Sequence, residues 1–134
     1  MPESTQSATA PLPRKGHEPP EVTRHGWRYH HLGIPTSTPQ PGEYYLERFK
    51  MYVSAFESSP CGIQWMRFAP DSPVHPLIQS VPHVAFEVDD LDAALQGQEI
   101  LTAPNSPSVG VRVAMILDHG APVELLEFRA SRQP

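Results

Sequence analysis

His83-Val84-Ala85-Phe86-Glu87-Val88, running into Asp89-Asp90-Leu91-Asp92, is the stretch that organises this chain. Its first six residues are short, apolar and bounded by Pro82 and two aspartates, which reads as a strand. Alternate side chains share a face, so His83, Ala85 and Glu87 lie together. An aspartate then offers a carboxylate to an orphan backbone amide, and Leu91, Ala94 and Leu95 fall at helical spacing. Gly97 suits the end of that helix. Beyond it, Glu99 to Ala103 reads as a short strand and Pro104 to Gly110 as a polar loop. Val111 to Leu117 and Pro122 to Phe128 are further strands. The second half of the chain is therefore predicted as β-α-β-β-β.

The opening of this unit has a counterpart in the first half. His31-Leu32-Gly33-Ile34-Pro35-Thr36 matches His83 to Val88. The closing strand Pro122-Val123-Glu124-Leu125-Leu126-Glu127-Phe128 matches Gly62-Ile63-Gln64-Trp65-Met66-Arg67-Phe68. Between them, Glu43 to Lys50 carries Tyr45, Leu46 and Phe49 at helical spacing, which predicts a short helix. Met51 to Phe56 reads as a strand. The matched polar positions lie closer together in the first half (31 to 64) than in the second (83 to 124), which predicts one strand short or missing there. The expected class is α+β: two repeated βαβββ modules, the first abbreviated. Module one spans 27–70, a proline-rich linker 71–81, and module two 82–130.

The repeat brings out four polar residues: His31, Gln64, His83 and Glu124. Each begins a strand face that is otherwise mostly apolar or small. Leaving such a group unpaired inside a protein costs roughly 2–7 kcal/mol. A shared metal ion would satisfy all four at once. Imidazole nitrogens with amide and carboxylate oxygens suit Ni, Co, Zn, Mn or Fe better than Cu(I), which prefers sulfur. Taken alone, a histidine on a strand is more often hydrogen-bonded than a ligand; the duplicated placement is what carries the expectation. His30 and Glu127 compete with His31 and Glu124. Parity sends both to the opposite face, leaving Glu127 solvated or paired with Arg129 or Arg132. Parity likewise turns Arg67 away from Gln64. His75 and His119 fall in loops, and Cys61 behaves as a small hydrophobe. Asn105 could face a substrate from its loop, and Tyr44, Tyr45 and Trp65 could line a cavity.

Composition limits the partners. The net charge is −5 in 134 residues, with no cluster of Lys and Arg, which argues against nucleic acid or anionic membrane. One cysteine makes no internal disulfide. No apolar run is long enough to span a bilayer, and no apolar core marks a signal peptide, so the cytoplasm is the expected compartment. Five of the 17 prolines precede residue 21, in a stretch whose one large aliphatic residue is Leu12. Residues 1–26 are expected to be a disordered tail.

Pro82 to Asp92, Gly120 to Glu127 and Tyr29 to Ile34 resemble the vicinal oxygen chelate superfamily, also called the glyoxalase/bleomycin-resistance/dioxygenase fold. The resemblance covers about residues 28–129. It implies a curved mixed sheet around one divalent metal ion, a small-molecule substrate and a homodimer. The ligand set His31, Gln64, His83 and Glu124 resembles that of methylmalonyl-CoA epimerase and the glyoxalase I group. The implied function is a lyase or isomerase acting on a small oxygenated metabolite through a metal-stabilised enolate. Glu124 is the implied proton carrier and Glu87 the second choice. A ring-cleaving Fe(II) or Mn(II) dioxygenase would need only His31, His83 and Glu124. A metal-free, antibiotic-sequestering protein would need none of them.

Overall fold

A computed structural model describes residues 25–129 of the chain. The expected tail at 1–26 thus lies almost wholly outside the described residues, as does Arg132. Eight strands form one curved mixed sheet: β1 (Arg28–Pro35), β2 (Tyr44–Leu46), β3 (Met51–Val53), β4 (Ile63–Phe68), β5 (His83–Glu87), β6 (Glu99–Ser108), β7 (Val111–Asp118) and β8 (Ala121–Phe128). Among the described residues two short helices join them, α1 (Pro76–Ser80) and α2 (Leu91–Ala94), with one 3₁₀ turn at Phe56–Ser58.

The sheet order is β2-β3-β4-β1-β5-β8-β7-β6. Read outward from the centre, each half runs first strand, last strand, third, second. β1 is parallel to β4 and β5 is parallel to β8, while β1 and β5 meet antiparallel at the middle. The repeat seen in the sequence is therefore a repeat of topology, and both modules meet within one chain.

The first module is abbreviated, but not by losing a strand. It has four, as the second does. β2 and β3 are only three residues each, where β6 has ten and β7 eight. The helix expected over Glu43 to Lys50 is absent. Tyr44, Tyr45 and Leu46 instead pair antiparallel with Val53, Tyr52 and Met51. Lys50 closes the turn between them at φ 50, a left-handed conformation no helix interior contains. Strand pairing overrode the helical spacing, and Tyr45 packs on Tyr52 with ring centroids 4.8 Å apart.

The expected 71–81 linker contains α1. His75 caps it, accepting from the Leu77 amide at 3.0 Å, and Pro76 occupies its first position, where no amide is missed. The expected 104–110 loop is mostly strand, since β6 continues to Ser108. It is an edge strand with register shifts around Thr102 and Asn105, so Pro104 and Pro107 are tolerated.

Two apolar clusters build the core. Val88, Leu91, Ala114, Ile116, Val123 and Leu125 pack between the second module's sheet and α2. Asp90 caps α2 by accepting from the Ala93 amide at 3.1 Å. Met51, Val53, Met66, Ile78 and Met115 form the second cluster, on the face where β4 carries Gln64 and β8 carries Glu124. No helix of the described residues is long and apolar enough to cross a membrane.

Candidate metal centre

β1 and β5 are the two central strands, and register across them sets the site. Gly33 pairs with Gln64 on one side and with His83 on the other. One step along, His31 pairs with Ala85, which pairs with Glu124. Two adjacent rows thus carry all four residues singled out by the repeat. In each row a small residue, Gly33 or Ala85, separates the polar ones. That spacing leaves room for long side chains to converge above the sheet.

Three of them do converge. His31, His83 and Glu124 each offer one ligand atom, and these atoms lie within 4.8 Å of one another. His31 Nε2 is 3.3 Å from Glu124 Oε1, and His83 Nε2 is 3.1 Å from the same oxygen. Both imidazoles are about 95% buried, at 5% exposure each. Two nitrogens and one oxygen bound to a divalent ion at about 2.1 Å would stand roughly 3.0–3.4 Å apart, from octahedral to tetrahedral geometry. The two nitrogen–oxygen spacings fall in that range, so the carboxylate oxygen with either imidazole fits such an ion. The Glu124 side chain is 18% exposed, which leaves an approach from the cavity. Burial pushes the Glu124 carboxyl up, but hydrogen bonds from His31 and His83, with their charge, outweigh it and hold it at about 2. The carboxylate is ionised at neutral pH, as a ligand must be.

The two histidines are held differently. The His83 ring lies against Gly33 so closely that a Cβ there would fall 2.4 Å from His83 Cε1. Its Nδ1 is buried with no hydrogen-bond partner among the described residues, where Nε2, aimed into the cluster, is its one polar anchor. His31 instead has a neighbour at its far nitrogen: His30 Nδ1 stands 2.8 Å from His31 Nδ1. His30 was expected on the opposite face. A register shift between Tyr29 and His31 breaks the alternation and turns both rings to one side. Phe56 packs on both, at 4.7 and 5.3 Å between centroids. Burial and, after it, the neighbouring His31 push the His30 imidazole below its usual value. Neither His30 nor Phe56 was in the expected site; only a bulge, invisible to strict parity, brings them in.

Gln64, His83 and Glu124 are among the residues lining a cavity of about 490 Å³, and His31 lies behind them outside its lining. Tyr44 and Asn105 line it too, whereas Tyr45 and Trp65 do not. Glu87 lies outside that cavity, 3.4 Å from Arg28 Nη2. Arg67 faces away as parity predicts, pairing with Glu43 and stacking 4.1 Å over Tyr52. Glu127 is also on the far face, but it is buried rather than solvated. Its carboxylate accepts from the Leu91 amide at 3.0 Å and from Arg129 Nε at 2.6 Å, with Arg112 3.6 Å away. Cys61 is exposed rather than buried, and its thiol is free.

No protein-family model matches the sequence, and no curated protein matches it either. Solved structures do match by shape. A hypothetical protein, BH1468, from Bacillus halodurans C-125 superposes with a TM-score of 0.60 at 17% identity, over 81% of this chain and 99% of that one. Methylmalonyl-CoA epimerase from Mycobacterium tuberculosis superposes with a TM-score of 0.54 at 20% identity, over 78% of this chain and 90% of that one. A glyoxalase/bleomycin resistance protein/dioxygenase superfamily member from Vibrio splendidus 12B01 overlaps more loosely, with a TM-score of 0.44 at 10% identity, over 76% and 98%.

Proposed function

Starting from a chain with the vicinal oxygen chelate fold and a His/His/Glu cluster at its centre, we propose a divalent-metal-dependent lyase or isomerase of the glyoxalase type. Its substrate is a small oxygenated metabolite. The observation that carries this reading is the convergence of two buried imidazoles on one carboxylate oxygen at the wall of a cavity. His31 and His83 would hold Ni, Co, Zn, Mn or Fe through Nε2, with Glu124 as the anionic ligand. Gln64 would add its amide oxygen from across Gly33. The ion would supply Lewis-acid charge beside a substrate carbonyl.

The protein's own part is to position and to move a proton. Buried walls hold the two imidazoles in place, and the cavity admits the substrate to the exposed edge of Glu124. That carboxylate would take a proton from a carbon next to the carbonyl and return it. Glu87, on the His83 face of β5 and paired with Arg28, is the second candidate. A second reading, a ring-cleaving Fe(II) or Mn(II) dioxygenase, is favoured by one observation: the two-His-one-carboxylate cluster is complete without Gln64. A homodimer and a cytoplasmic setting belong with the main reading; sedimentation and thiol alkylation of Cys61 in intact cells test them.

Elemental mass spectrometry on purified protein, His83→Ala and Gln64→Ala tests the centre. Stoichiometric metal lost in both variants supports the four-ligand lyase or isomerase. Loss in His83→Ala alone favours the dioxygenase. Wild type that takes up none of the five metals on reloading refutes both.

A further inference from the structure

His83 and Glu124 of the metal centre supply only part of the cavity wall, and the rest of the wall has a different chemistry. Met51, Val53, Met66, Ile78 and Met115 line it, and each is 9% exposed or less. These five are the whole buried membership of the second apolar cluster. Elsewhere in proteins such a cluster closes on itself, because interiors leave few voids larger than a water molecule. Here these five side chains form part of the wall of a cavity of about 490 Å³. That volume suits one small ligand rather than a chain of groups.

The charge on the wall points the same way. Among the lining residues Arg48 is the one Lys or Arg, and its Nη1 donates to the Ser106 carbonyl at 2.6 Å. Among the described residues a phosphate-bearing tail would therefore meet no second Lys or Arg beside Arg48 on this wall. Three of the chain's four methionines are in the wall. Their unbranched, polarisable side chains accommodate apolar bodies of varied outline.

Resting on the metal-centre reading, we propose that the substrate is an apolar acyl or aryl compound with an oxygen-chelating head. The head sits at His31, His83 and Glu124. The body lies between β3, β4, α1 and β7, and carries no nucleotide or phosphate group that the protein grips.

An n-alkyl hydroxamate series, from acetohydroxamate to octanohydroxamate, tests this by calorimetry on zinc-loaded and zinc-free protein. Each hydroxamate presents two chelating oxygens, and only the chain varies. Affinity should rise about fourfold per methylene until the cavity is full. Val53→Phe, which narrows the wall away from the metal residues, should bring the plateau at a shorter chain. A flat series with tight acetohydroxamate binding to the zinc form overturns the inference and leaves the metal centre standing. A sloping series in protein that takes up no zinc supports the apolar site and removes the enzyme reading. No binding in either form refutes both. As a second measurement, hexanoyl-CoA should bind no tighter than its N-acetylcysteamine thioester; a gain of tenfold or more would show a clamp and overturn the proposal.

Discussion

Gly33→Ala is the sharpest perturbation of the centre, because one methyl group sets secondary-structure preference against the site. In a strand, replacing glycine by alanine at an acceptable φ stabilises by about 0.4–1 kcal/mol. Gly33 is not among the glycines with positive φ, so that gain is open to it. The obstacle is space. The added Cβ would lie 2.4 Å from His83 Cε1 and 2.9 Å from both Nδ1 and Nε2. Ordinary carbon contacts begin near 3.5 Å, so the ring must retreat by about 1 Å. It is buried, and overpacking of this kind costs about 1–3 kcal/mol. The sign of the stability change is thus opposite to the propensity. Metal–ligand distances tolerate only about 0.2 Å, so zinc affinity should fall by at least 10–100-fold. Urea unfolding of the metal-free protein and chelator competition for zinc measure the two effects. A double-mutant cycle adds the control: with His83→Ala the ring is gone, and Gly33→Ala should cost nothing further. Wild-type zinc affinity in Gly33→Ala, or additive costs in the cycle, would refute the argument.

Two further predictions concern one neighbour of the centre and one buried carboxylate on the far face of the sheet. His30→Ala removes the neighbour of His31 Nδ1 and should weaken zinc binding about 10–100-fold with the three ligands intact; His30→Asn, which keeps a polar partner, should recover part of it. Unchanged affinity in His30→Ala, by the same chelator competition, would mean that Phe56 packing alone holds the His31 ring. Glu127→Gln should destabilise the metal-free protein by about 1–3 kcal/mol at pH 7, because it leaves Arg129 and the Leu91 amide without their charged acceptor. Burial pushes the Glu127 carboxyl up, but the Leu91 amide and Arg129 outweigh it and hold it below its usual value of 4.5. A carboxyl lowered on folding contributes stability that is present above its unfolded pKa and lost as pH falls through the folded one. The gap between Glu127→Gln and wild type should therefore shrink below about pH 4.5; a gap constant down to pH 3 would contradict it.

Most of the second module was legible because β5, α2, β7 and β8 each carry their own signal. An aspartate cap, helical spacing and a glycine stop delimit α2, and β5 and β8 are short apolar runs between turn residues. The first module gave a misleading signal at Tyr45, Leu46 and Phe49. Three residues at helical spacing also fit a strand and turn, and the partner that decides, Met51–Val53, acts through the hairpin rather than the local sequence. Prolines misled twice. Pro76 starts a helix and Pro104 and Pro107 sit in an edge strand, positions where a missing amide costs nothing.

The site was legible through the repeat, and its surroundings were not, for one geometric reason. Register carries a ligand on β1 to its mate on β5 and thence to β8, so matching positions in two similar modules meet wherever the modules pair about their first strands. Sequence alignment finds that much. A bulge shifts one residue relative to its neighbours, and alternation then fails for a single side chain. His30 is that side chain. The same shift that removes it from the far face places it against His31, where a strict strand would have left an apolar contact or none. The centre is therefore symmetric in its ligands and asymmetric in their support. His31 is held by a hydrogen-bonding neighbour, and His83 by the space above Gly33. Zinc affinity should accordingly respond to polarity at position 30 and to volume at position 33.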